Sequence, residues 1–142
     1  MIITKIEKNI KKDLSSLNAL FDFIEQYSEE NRLVSDIRFA LNLAAEEIFT
    51  NLVKYNTQSR NDIRITLQKK SNQVILTLTD FNVEKFDINR IKQYNIHQSL
   101  AERPVGKLGI PIVKNLMDKV EYEYTNRNST ITLVKYVRNV YV

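Results

Sequence analysis

The sequence predicts an α+β two-layer sandwich, in which one mixed, mostly antiparallel sheet is covered by helices on one face. Three observations carry this. Alternating apolar segments come in adjacent pairs, two long stretches with apolar residues three and four apart precede the first pair, and a third such stretch precedes the last pair. The resulting order, β-α-α-β-β-loop-α-β-β, groups strands into hairpins. A nucleotide fold built of βαβ units would alternate more strictly.

Each element has its own signal. Residues 1–7 alternate Ile3/Lys5 against Ile2/Thr4/Ile6 and open a strand. Leu14, Leu17, Leu20/Phe21, Ile24 and Tyr27 then form a helical stripe, with Asp13 as its N-cap. From about Ser35 to near Asn56 a second stripe, Ile37, Leu41, Ala44, Ile48 and Leu52, repeats the spacing. Ile63, Ile65 and Leu67 alternate, Lys70-Ser71-Asn72 turns the chain, and Val74 to Thr79 is an aliphatic run closing on Asp80. Between Phe81 and Arg103 the pattern weakens, with a short helix expected around Ile88–Lys92, and connections of that length are usually functional. A helical run from Ile110 to Met117 and two alternating segments, Val120–Tyr124 and Ile131–Val137, complete the order, with Tyr122 and Tyr124 on one strand face.

Composition bounds the function. The 142 residues form one domain, residues 1–142, since a chain near 150 residues buries roughly 70% of its unfolded surface and no linker or repeat divides it. There is no Cys and a single His97, read as a surface histidine, so thiolate chemistry and His-cluster zinc sites are excluded. No apolar stretch reaches transmembrane length and the apolar run in MIITKIEKNIKK is too short for a signal peptide, so the cytoplasm is the expected compartment. Net charge is +4, with basic pairs at Lys11-Lys12 and Lys69-Lys70 but no basic stripe interleaved with aromatics. Neither direct nucleic-acid binding nor membrane binding is expected, and an acidic protein partner fits this charge.

Three places could carry chemistry. Glu47 and Asn51 stand four apart on one helix face, which Leu43 and Tyr55 extend by a turn each way. The plain reading is a solvated face, and the functional one a carboxylate and an amide beside the core. Asp80 shares a strand face with Val74, Leu76 and Leu78, so it is either a half-buried carboxylate accepting from a ligand's exocyclic amine or a cap on the turn that follows. The only two glycines lie at Gly106 and Gly109, just before a helix. Such a turn can offer backbone N–H groups to a phosphate, or merely be tight. Arg103, Lys107 and Lys54 would add positive charge.

Taken in order, these places resemble a known family. Glu47-Ile-Phe-Thr-Asn51-Leu-Val-Lys54-Tyr55 is similar to the N box of the GHKL, or Bergerat-fold, ATPases, which include histidine-kinase catalytic domains. Asp80 begins a segment resembling their G1 box, and Arg103-Pro-Val-Gly106-Lys-Leu-Gly109-Ile-Pro-Ile-Val-Lys-Asn-Leu-Met-Asp118 resembles the G2 box. The Leu-Met-Asp sequence, the short length and the expectation that no dimerisation domain is attached narrow the resemblance to RsbW-type anti-sigma factors, the serine kinases of bacterial partner switching. It covers about Ser35 to Lys135.

The resemblance implies a histidine-kinase-like ATPase fold that binds ATP and Mg²⁺. It makes Asn51 the Mg²⁺ ligand and Glu47 the general base toward a serine hydroxyl. Lys54 and Tyr55 would contact phosphate and nucleotide, and Asp80 would accept from the adenine amine with Thr132 supporting it from the last strand. Gly106, Lys107, Leu108, Gly109 and Arg103 would lie along the phosphates, and residues 82–105 would form the ATP lid. It further implies a STAS-type anti-sigma antagonist as substrate, a sigma factor as second partner, control of transcription and, by family habit, a homodimer.

The G1-like segment departs from the family pattern. Asn82 stands where the family has glycine; it tolerates positive φ but adds a side chain where adenine would sit, and Glu84 adds charge nearby. Lys107 replaces a glycine of the second box. A degenerate module that sequesters a protein without kinase turnover is therefore the alternative. A GHKL ATPase of another kind is the third reading, disfavoured because no transducer segment is expected.

Overall fold

A computed structural model describes residues 5–55, 60–85 and 109–137. The short helix expected around Ile88–Lys92, His97 and all of the expected lid beyond residue 85 lie outside these residues.

The element order is the expected one. Strand β1 covers Lys5–Ile10, a 3-10 turn Leu14–Ser16 leads into α1 (Leu17–Glu30), and α2 runs Ser35–Tyr55. Strands β2 (Ile63–Lys70) and β3 (Gln73–Asp80) form a hairpin, and α3 (Gly109–Leu116) precedes the hairpin of β4 (Lys119–Thr125) and β5 (Asn128–Tyr136). Asp13 caps as expected, but on the 3-10 turn: its side chain accepts from the Ser15 N–H at 2.9 Å.

The five strands are ordered β1-β2-β3-β5-β4, and every pairing is antiparallel rather than mixed. The reason lies in the connections. Helices α1 and α2 make a return excursion, so β2 starts beside the end of β1, with Ile10 opposite Ile63. β4 begins at the far end of the sheet and turns back, so β5 starts beside the end of β3, with Ser129 opposite Asp80. One end of the sheet thus gathers the exits of β1, β3 and β4 and the starts of β2 and β5.

The period-2 alternation assigns the faces. Ile63, Ile65 and Leu67 on β2, Val74, Leu76 and Leu78 on β3, and Ile131 and Leu133 on β5 are all buried toward the helices. All five stripe residues of α2 (Ile37, Leu41, Ala44, Ile48 and Leu52) meet them, joined by Leu20, Ile24 and Tyr27 of α1. Each large aliphatic side chain so buried contributes about 1.5–3 kcal/mol. The other face is polar, and one row across it reads Glu7, Thr66, Thr77, Thr132, Glu121.

Candidate functional site

The sheet end where β3 terminates is also where the C-terminal half of α2 arrives, because only residues 56–62 separate Tyr55 from the start of β2. Asp80 closes β3 on the core face and is fully buried, more than the half-burial expected. A buried carboxylate needs donors, and here one donor is an ammonium. Lys12 Nζ lies 3.0 Å from Asp80 Oδ1 and 2.9 Å from Oδ2, across 68 residues of sequence. Lys12 is itself only 8% exposed. Sequence reasoning missed this residue, although a signal existed. Lys12 keeps the parity of Ile6 and Ile10, the positions of β1 that turn toward the core.

Immediately after Asp80 the backbone turns. Asn82 has φ 56°, the left-handed conformation expected of a residue standing in for glycine. Its side chain is engaged elsewhere: Oδ1 accepts from Arg127 Nε at 3.0 Å, while its N–H donates to Asn128 Oδ1 at 3.2 Å. Val83, fully buried, donates its N–H to the Arg127 carbonyl at 2.8 Å and accepts from the Tyr124 hydroxyl at 2.7 Å. The β4–β5 turn is the platform for these contacts. Asn126 and Arg127 have φ 54° and 64°, the paired positive values of a type I′ hairpin turn. On the core face beside Asp80, the Tyr122 hydroxyl lies 3.2 Å from Ser129 Oγ.

The helix side of the site is built differently. Asn51 is fully buried on α2, and its Nδ2 donates to the Glu47 carbonyl one turn earlier. That bond fixes which end of the amide is nitrogen, because a carbonyl needs a donor. Asn51 Oδ1 is then buried with no hydrogen-bond partner among the described residues. Glu47 is half-buried, and desolvation, followed by the repulsion of Glu46, raises its pKa against the opposing pull of Lys54. Lys54 is half-buried at the helix end, and Tyr55 packs against the core.

One expected site residue is placed away from the others. Thr132 lies on the polar sheet face, in register with Thr77 and Glu121, whereas Asp80 points to the helix face. The β5 residue opposite Asp80 is Ser129, buried at 1% exposure. Alternation decides this: three residues from Ser129 is an odd step, which changes face. The glycine turn is only partly in view. α3 begins at Gly109, as expected, while Arg103, Gly106, Lys107 and Leu108 lie outside the described residues. At its other end Lys135 Nζ caps the Leu116 carbonyl at 2.6 Å, and Asp118 Oδ2 accepts from the Tyr136 N–H at 2.6 Å.

A family model described as the histidine kinase-like ATPase domain matches residues 10–135. The chain belongs to that family. The fold of this histidine kinase-like ATPase domain is shared by two solved structures, each 10% identical to it. One holds the RsbU and RsbW domains of Rv1364c from Mycobacterium tuberculosis, with a TM-score of 0.69 over 98% of this chain and 35% of that one. The chain therefore spans about a third of that relative's length. The other is the SiaB–SiaC complex from Pseudomonas aeruginosa, with a TM-score of 0.60 over 93% of this chain and 88% of that one. No curated protein matches the sequence.

Membership implies ATP binding, and the two sides of the site answer to it differently. Asn51 Oδ1, a buried oxygen without a hydrogen-bond partner among the described residues, fits a hard cation such as Mg²⁺. Asp80 does not fit an incoming adenine amine as it stands, because an ammonium already holds both of its oxygens. Among the described residues no group of three or more His, Cys, Asp or Glu could hold a metal by itself, and no helix is long and apolar enough to cross a membrane.

Proposed function

We propose that this domain is a cytoplasmic anti-sigma regulatory factor with ATP-dependent serine kinase activity toward a STAS-type antagonist, acting by partner switching. The observation that carries the reading is the buried Asn51 Oδ1, without a hydrogen-bond partner among the described residues, one helical turn from Glu47. Asn51 would hold Mg²⁺, which supplies charge neutralisation on the phosphates. Lys54 and Tyr55 would contact the nucleotide, and Arg103, Gly106, Lys107, Leu108 and Gly109 would line the phosphates.

In the transfer, the serine Oγ would bond to the γ-phosphorus as the bond to the ADP oxygen breaks, and Glu47 would take the serine proton. The raised pKa of Glu47 suits a proton acceptor. Positioning supplies most of the remaining effect. Phosphate added at a packed interface would weaken it by charge and desolvation, freeing the domain for a sigma factor. Support for protein partners comes from the two fold neighbours, one joined to an RsbU domain and one solved in complex with SiaC.

The test is phosphate transfer from labelled ATP to a candidate STAS protein. Glu47→Ala is expected to slow transfer by about 10²-fold or more while the complex still forms; an unchanged rate would remove Glu47 from the role of base. The Lys12–Asp80 pair favours a second reading, a module that sequesters its partner without turnover. Complex formation with an unmodified serine would decide for it.

A further inference from the structure

We propose that Lys12 is a built-in occupant of the base-recognition carboxylate: its ammonium fills the place of the exocyclic amine that Asp80 would bind, and it must leave before a nucleotide enters. The inference rests on the nucleotide reading of the site and specifies how that site is controlled. Lys12 Nζ stands at 2.9–3.0 Å from both oxygens, the separation of a charge-assisted bond. The oxygens belong to the residue that the family resemblance assigns to adenine. Since Asp80 is fully buried, no ligand donor reaches it without a rearrangement.

The position of Lys12 makes that rearrangement local. It lies in the short connection between β1 and the 3-10 turn, where the Asp13 N–H donates to the Lys11 carbonyl at 2.8 Å. Its long, flexible side chain can therefore turn outward without breaking a strand pairing. Asn82, the residue whose bulk threatens the pocket in the sequence, is not the obstacle, because its side chain is bonded to Arg127. The neutral amine of adenine is a weaker partner for a carboxylate than an ammonium. Apparent affinity is then reduced by the fraction of molecules with Lys12 turned out. For an open fraction of about 1–10%, removing the ammonium tightens binding about 10–100-fold.

Two measurements test this on the whole chain. ADP and ATP with Mg²⁺ are titrated into the wild type, Lys12→Met and Lys12→Gln by calorimetry; the glutamine variant keeps a neutral donor for Asp80 should the methionine variant fail to fold. In parallel, wild-type protein is treated with an amine-reactive acetylating reagent, and modification of Lys12 is read by peptide mass spectrometry. The expected results are at least tenfold tighter nucleotide binding in a Lys12 variant and at least tenfold faster acetylation of wild-type Lys12 when ADP is bound. Unchanged affinity in folded variants overturns the proposal and leaves nucleotide binding intact. Weaker affinity overturns it too, making Lys12 a ligand contact, as does Lys12 staying protected with ADP bound. Absence of binding in the wild type and both variants, with Lys12 acetylated readily in Asp80→Asn, overturns the nucleotide reading and this proposal together.

Discussion

Asn51 on α2 and Asp80 on β3 are equally buried polar residues, yet they stand in opposite states. The helix residue keeps a buried oxygen with no partner among the described residues, while the strand residue has both oxygens on an ammonium brought from the N-terminal segment. An unpaired buried oxygen costs about 1–3 kcal/mol, so the fold carries a penalty on the α2 side that a ligand could remove. On the β3 side folding has already met the demand internally. The difference separates a buried polar group left open among the described residues from one that the chain pairs with its own ammonium.

The largest effect should come from breaking the completed side. Asp80→Leu removes the carboxylate that holds the Lys12 ammonium inward and, since that side chain can turn outward, is expected to cost about 1–3 kcal/mol in urea unfolding. The double variant Lys12→Met, Asp80→Leu should return to within about 1 kcal/mol of the wild type, because a well-packed apolar pair replaces a buried ion pair at little cost. A double variant as unstable as the single one would show that the pair is not the interaction at stake. On the helix side the expectation reverses: Asn51→Ala should change stability by no more than about 1 kcal/mol, since one bond to the Glu47 carbonyl and one orphaned oxygen vanish together. Its effect should appear instead as loss of Mg²⁺-dependent nucleotide binding in calorimetry.

The same contrast marks what a sequence can reveal. The stripe of α2 and the alternation of β3 are local periodicities, so the burial of Ile37 to Leu52 and the inward face of Asp80 follow from spacing alone. Asn82 was legible from its chemistry, as one of the residues that accept positive φ without a glycine, and φ is 56°. The partner of Asp80 was not, because a contact across 68 residues leaves no periodic trace. Lys12 instead reads as half of a basic surface pair. Thr132 lies apart from Asp80 for another reason: the resemblance assigns it by position in a motif, whereas the antiparallel register between β3 and β5 sets which β5 residue shares the face of Asp80.

Tyr27 extends the comparison into the core of α1, where no ligand is expected. Its ring is fully buried and its hydroxyl has no hydrogen-bond partner among the described residues. Tyr27→Phe should therefore hold or raise stability, by up to about 1 kcal/mol. Burial pushes the phenol from 10.0 up to about 12. The folded state thus holds this proton more tightly than the unfolded chain does. The stabilising contribution is complete below pH 10 and is lost as pH climbs through about 12, and Tyr27→Phe should flatten that part of an alkaline unfolding curve. An unchanged curve would assign the alkaline loss to other groups.

Glu47 should give the smallest stability effect and the sharpest discrimination. Its pKa is raised, mainly by desolvation, so the folded state favours the protonated carboxyl. Stability from this residue is fully present below its unfolded pKa and declines as pH rises through the folded value. The ionised side chain is thus less favourable in the folded state than the protonated one. Glu47→Gln should unfold slightly later than the wild type at pH 7, with the difference shrinking as the buffer is taken below the ordinary carboxylate range. If Glu47→Gln instead lowered stability at pH 7, the carboxylate would be a structural ligand of its surroundings, and the proton-acceptor role would lose its physical basis.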